Sequence, residues 1–152
     1  MARFVKNEIQ LVQPNQPVIL DGSLWADRRY LFHQNGSGIV TLRGIVNNPY
    51  IEYAVYLVSY DANIAVPTGG TVGTISLALS RNGQPILTSR AMSTPAAVEE
   101  YNHVGSSDYI IVPRGCCVDI SLENTSESAT PATTPAPAIN VQNANLTVVR
   151  VA

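Results

Sequence analysis

Residues 50–61 read YIEYAVYLVSYD, and the fold turns on this stretch. Twelve residues rich in Tyr and other apolar side chains, with no Gly or Pro, make a long β-strand. Alternation puts Tyr50, Glu52, Ala54, Tyr56, Val58 and Tyr60 on one face, and Ile51, Tyr53, Val55, Leu57 and Ser59 on the other. Both faces are largely apolar. A strand with one face in a core and one in water alternates cleanly between apolar and polar residues. This one is therefore expected to be buried twice, in its own core and against a second surface. Four of the seven tyrosines lie here, and Tyr suits half-wet interfaces because its large apolar ring ends in a polar hydroxyl. Tyr50, Tyr53, Tyr56, Val58 and Tyr60 are the candidate subunit-interface residues.

Strand signals continue on both sides. Upstream, residues 8–13 and 17–20 flank a Pro-Asn-Gln-Pro turn, and residues 29–33 and 39–43 flank Gln34-Asn35-Gly36-Ser37-Gly38, which reads as a hairpin. Downstream, residues 74–80 place Ile75, Leu77 and Leu79 inward and Ser76, Ala78 and Ser80 outward. Asn82-Gly83 then supplies the preferred type I′ pair, and a return strand is expected through Ile86, Thr88 and Arg90. Residues 97–104 and 108–112 are two further strands. In 116–123, Val118, Ile120 and Leu122 face in while Asp119, Ser121 and Glu123 face out, and residues 144–151 form the last strand. Residues 1–7 read as a short N-terminal arm. Residues 124–138, NTSESATPATTPAPA, lack side chains able to build a core and read as a surface loop or an arm that orders on a partner. Deleting residues 126–137 is expected to leave the assembly intact. About ten short strands punctuated by Gly, Pro and Asn, with no amphipathic helix, indicate an all-β jelly-roll sandwich spanning residues 1–152 as one domain.

Composition narrows the function. Charged residues are 13% of the chain, about half the usual share, which suits a surface partly covered by copies of itself or by a particle. The formal charge is −2, and the nine Lys and Arg residues are scattered along the sequence, so neither nucleic acid nor an anionic membrane is the expected partner. Residues 1–20 have no apolar segment of signal-peptide type, and no stretch has the length of a membrane-spanning helix. The expected place of synthesis is a cytoplasm, without export. Cys116 and Cys117 are adjacent, and a strand would part their side chains. They read as two small buried or half-buried residues, and no disulfide is expected to hold the fold.

No catalytic constellation stands out. His33 and His103 are the two histidines, and neither a Gly-x-Ser-x-Gly elbow nor a His-x-His pair occurs. The acids lack calcium-loop spacing, and Pro67-Thr68-Gly69-Gly70 lacks the Lys and helix of a phosphate loop. The expectation is a non-enzymatic protein with no catalytic residue, metal or cofactor. Trp25, in Ser23-Leu24-Trp25-Ala26-Asp27, is the candidate ligand or partner contact. Its plainer reading is a loop anchor on the sandwich or a contact across subunits.

The order of pieces resembles a family. Val12-Gln13-Pro14-Asn15-Gln16-Pro17-Val18 comes first, then His33-Gln34-Asn35-Gly36-Ser37-Gly38-Ile39-Val40-Thr41-Leu42 and Asn48-Pro49-Tyr50 with its long strand. Arg81-Asn82-Gly83-Gln84-Pro85, Val112-Pro113-Arg114-Gly115 and the terminal strand from Asn145 to Val151 complete the series. This resembles the tumour-necrosis-factor-like jelly roll of phage structural proteins and of bacterial exosporium filament tips. The resemblance implies a homotrimer with its inner sheet packed on neighbours. The chain has no Gly-x-y stalk ahead of the domain, which favours a trimeric capsid decoration or head-fibre module over a filament tip. The implied partners are the chain itself and the major capsid protein or another virion component, on a virion surface. The alternative is a carbohydrate- or receptor-binding trimeric tip of a phage fibre or surface filament.

Overall fold

The Asn-Gly turn forms as its chemistry requires. Asn82 and Gly83 both take positive φ, 50° and 84°, and the chain reverses so that Arg81 pairs with Gln84. A computed structural model describes residues 1–128 and 135–152 of the chain. Twelve strands run in order: β1 (Ala2–Lys6), β2 (Gln10–Val12), β3 (Gly22–Ala26), β4 (Leu31–His33), β5 (Val40–Leu42), β6 (Tyr53–Ala65), β7 (Ile75–Arg81), β8 (Gln84–Pro85), β9 (Ala91–Ser93), β10 (Asn102–Pro113), β11 (Val118–Asn124) and β12 (Ile139–Arg150). One antiparallel sheet has the order β10-β6-β12-β1-β3, with β2 also paired to β12. The other has the order β4-β5-β11-β7-β8, with β9 paired to β7.

The two sheets pack face to face. From the first sheet Phe4, Tyr56, Val58, Ile64, Leu146 and Val148 point into the core; from the second come Leu42, Leu77, Leu79, Ile120 and Leu122. On β12 the alternation changes phase. Val141 and Ala144 are both buried, and the register against β6 shifts between Gln142 and Asn145, where Asn143 takes φ 54°. The bulge absorbs one residue, so both halves of β12 turn their apolar side chains inward.

Several expectations are corrected. Residues 1–7 are no arm: β1 lies between β12 and β3, with Ala2 and Phe4 fully inside. The long strand begins at Tyr53 and extends to Ala65, which leaves Tyr50 on the preceding loop. The run at 108–112 and the last three residues of the run at 97–104 form the single strand β10, while residues 97–101 are turn and loop. The return after Gly83 is only Gln84–Pro85 before a 3₁₀ turn, Leu87–Ser89. Residues 17–20 contribute isolated bridges, Pro17 to Glu123 and Leu20 to Ser37. Cys116 and Cys117 are bonded to each other. They precede β11, in the turn after Gly115, so the alternation that would part them does not operate.

The loop at 124–138 is tied at both ends. Asn124 is fully buried, and its Nδ2 donates to the carbonyls of Val12 and Pro137, both at 3.0 Å. Its Oδ1 accepts from the Ser126 N–H at 3.0 Å. Ser76, expected outward and wet, is instead sealed by Thr125 Oγ1 (2.9 Å) and by Arg90, whose Nε donates to Ser76 Oγ at 3.2 Å. Ser80, Ser121 and Glu123 are buried as well. Residues 129–134 of the loop lie outside the described residues.

Candidate functional site

The central strand shows which of its two apolar faces is the core. Tyr56, Val58 and Tyr60 point inward and are 0%, 0% and 4% exposed, so they have no surface to give a second chain. Their assignment to a subunit interface is corrected. Each tyrosine spends its hydroxyl inside the sandwich. Tyr56 Oη lies 2.6 Å from the Arg43 carbonyl and 3.1 Å from that of Tyr30, beside the second sheet. Tyr60 Oη lies 2.6 Å from the Ser89 carbonyl and 3.0 Å from that of Leu77. A buried hydroxyl needs an acceptor, and here it finds backbone across the core. Burial pushes both phenols above their ordinary pKa, Tyr60 the further.

The opposite face of β6 remains outward. Tyr53 is 52% exposed, with Val55 and Leu57 half-buried beyond it. Register extends this row across three strands. Ile111 stands opposite Val55, and Leu57 has Tyr109 on one side and Val149 on the other. Tyr109 and Ile111 are themselves 62% and 48% exposed. The result is a continuous apolar patch on the outside of the first sheet, made of Tyr53, Val55, Leu57, Tyr109, Ile111 and Val149. Contiguous exposed apolar surface of this kind marks an interaction site. Of these residues the sequence reading named Tyr53 alone as an interface candidate, although it placed Val55 and Leu57 on the same apolar face; the β10 and β12 residues join them through pairing that no local signal announces.

Along the same face the chemistry turns polar. Arg3 Nη2 donates to Asn145 Oδ1 (3.2 Å), Asn145 Nδ2 to Asp61 Oδ1 (2.8 Å), and His103 Nε2 lies 3.9 Å from Asp61 Oδ2. This row crosses β1, β12, β6 and β10. At the free edge of the sheet, Asp108 Oδ1 accepts the N–H of Tyr109 (2.8 Å) and its Oδ2 the hydroxyl of Thr88 (3.0 Å). An inward-facing acid on an edge strand discourages strand addition, so the face is better suited to contact than the edge.

Trp25 sits on strand β3 rather than on a loop, opposite Arg3 at the far margin of this sheet. The register slips between Arg3 and Phe4, and Leu24 and Trp25 are both left exposed, at 66% and 54%. His33 packs its ring on Phe4, centroids 4.4 Å apart, with Nε2 3.0 Å from the Ser37 carbonyl. It borders a cleft of about 340 Å³ with Leu31, Phe32 and Gln34. His33 and His103 stand on different sheets. Among the described residues no group of three His, Cys, Asp or Glu side chains is placed to share a metal ion.

Arginines scattered in sequence gather in space. Arg28 and Arg29 lie on the turn from β3 to β4, Arg43 directly follows β5, Arg114 directly follows β10, and Arg150 ends β12. Register puts these positions at one end of the sandwich: Ala2 opposite Ala26, Leu31 opposite Leu42, Pro113 opposite Tyr53, Arg150 opposite Tyr56. Arg29 is paired with Asp27 at 2.8 Å, which holds the Asp27 carboxyl down at about 2.

This architecture is an all-β sandwich of two antiparallel sheets, of the tumour-necrosis-factor and C1q-like jelly-roll type. The chain is similar in structure to Eiger TNF from S. frugiperda, with TM-score 0.64 and 15% identity over 99% of this chain and 91% of that one. It is similar to the globular domain of zebrafish complement 1qA protein, with TM-score 0.54 and 16% identity over 96% and 94%. Murine APRIL gives TM-score 0.52 and 16% identity over 93% and 96%. No protein-family model matches the chain, and no curated protein matches it in sequence. At these identities the similarity is one of fold.

Proposed function

We propose that this chain is a non-enzymatic structural module that assembles as a homotrimer through the outer face of its first sheet, and that the trimer decorates a phage capsid or head fibre. The observation that carries the assembly is the apolar patch of Tyr53, Val55, Leu57, Tyr109, Ile111 and Val149. Exposed on a lone chain it opposes solubility, and threefold packing of the inner sheet, which the jelly-roll resemblance implies, would cover it. The virion context rests on the resemblance of the ordered series of sequence pieces to that of phage structural proteins. Virion-surface location and capsid contact belong to that same reading.

Sedimentation of the purified chain at micromolar concentration is expected to give a trimer. Leu57→Glu is expected to give folded monomers, with the circular dichroism of the parent. A monomeric parent would end the trimer reading. Mass spectrometry of purified particles tests the virion reading separately, since the chain should be present in a fixed ratio to the main shell protein. A carbohydrate-binding tip is the second reading, favoured by the exposed Trp25 beside Arg3, and a glycan array with no signal would discard it.

A further inference from the structure

The sandwich is electrically polarised along its strands. At one end stand five arginines, Arg28, Arg29, Arg43, Arg114 and Arg150, against the carboxylates of Asp27 and Glu52, with Asp119 a little further in, opposite Thr41. Apart from Arg29, none of the five meets a side-chain carboxylate among the described residues, and Arg150 Nε donates to the Ala152 main-chain oxygen at 3.3 Å. The other end carries Glu8, Asp21, Glu99, Glu100 and Glu127, where Lys6 and Arg90 are each already paired, with Asp21 at 2.8 Å and Glu127 at 3.2 Å. The net charge of −2 hides this separation, because unlike charges at opposite ends cancel in the sum. At about 0.15 M salt the screening length is roughly 8 Å, so each pole acts mainly on what touches it.

The positive end also presents apolar side chains that nothing in the fold uses. Tyr50 is 92% exposed and Val46 64%. Their loop is braced: Arg114 Nη1 donates to the Pro49 carbonyl (2.9 Å), the Arg114 N–H donates to the Glu52 carbonyl (2.7 Å), and Asn48 Oδ1 accepts the Tyr50 N–H (3.0 Å). Bracing of the loop backbone lowers the ordering cost of using Tyr50 as an anchor, although its side chain itself is free to turn. Arginine and tyrosine together are the composition of protein-binding hot spots. A bare polyanion would use the arginines and leave the tyrosine idle.

We infer that this arginine-rich end is a docking surface for an acidic, aromatic-bearing patch on another protein, with Tyr50 as the anchor and Arg28 and Arg43 as the unpaired charges that steer and hold it. The site lies off the apolar patch of the first sheet and does not require the trimer.

A random copolymer of glutamate and tyrosine serves as the probe, compared with poly-glutamate, heparin and vesicles containing phosphatidylglycerol, by biolayer interferometry in 50 and 300 mM NaCl. The copolymer should bind more tightly than the other three and weaken as salt rises. Arg28→Glu with Arg43→Glu should lower its affinity at least about tenfold. Tyr50→Ala should weaken the copolymer while leaving poly-glutamate unchanged, and Glu8→Gln at the opposite end should change neither by more than about twofold. Sedimentation of the same variants, unchanged from the parent, separates loss of docking from loss of assembly. The inference is overturned if heparin or the vesicles bind more tightly, if the double reversal has no effect, or if low salt instead drives copies into head-to-tail chains.

Discussion

Asn124→Ala is the most informative single change to the fold. The side chain is fully buried and makes three hydrogen bonds of 3.0 Å, to the carbonyls of Val12 and Pro137 and from the N–H of Ser126. Alanine supplies none of these, and the side chain is fully shielded from bulk solvent. The stranded Val12 carbonyl and Ser126 N–H are buried and cost about 1 kcal/mol or more each, and the part-buried Pro137 carbonyl costs less, so about 2–3 kcal/mol is expected. The loss couples β2, the start of the 124–138 segment and its return at Pro137, because one amide joins all three. Urea unfolding should show a lower midpoint at unchanged slope, the sign of lost stability without a changed unfolded state. Hydrogen exchange at Ser126 should accelerate more than exchange in β6. Asn124→Asp should be at least as damaging, since a carboxylate would face two carbonyls. A change below about 0.5 kcal/mol for Asn124→Ala would refute the role assigned to this side chain.

Other outcomes follow from the same structure. Because burial raises the folded-state pKa of Tyr56 and Tyr60, the unfolded chain ionises first; stability should be intact below pH about 10 and fall as the pH climbs past it. Tyr60→Phe should flatten that alkaline slope and cost about 1–2 kcal/mol at neutral pH, seen in urea titrations at pH 7 and pH 11. Gly38→Ala would bring a Cβ to 2.7 Å from both Pro17 Cβ and the Val18 carbonyl, and thermal unfolding should report a loss of about 1–3 kcal/mol. Replacing Cys116 and Cys117 together by serine should shift stability by less than about 1 kcal/mol, since a bond between neighbours closes no long loop of the unfolded chain.

Alternation and turn chemistry are local, and they were enough for the all-β class, the Asn82-Gly83 reversal, and the inward rows of β7 and β11. They also exposed the excess apolar surface of the central strand. Period-two parity says that Tyr53 and Tyr56 face opposite ways, yet with both faces apolar it cannot say which meets the second sheet. That was decided by long-range pairing, which placed Tyr56 and Tyr60 under carbonyls of the opposite layer and left Tyr53, Tyr109, Ile111 and Val149 outside. Phe4 in a short charged run carries too little pattern to be read as a strand, and only its place between β12 and β3 buries it. The polar Asn124 resembled the first residue of a loop until three backbone groups from separate segments closed around it. Five arginines spread through the sequence became one pole for the same reason. Residues at the ends of different strands meet through sheet register, a non-local property carried by the whole set of pairings rather than by any window of the chain.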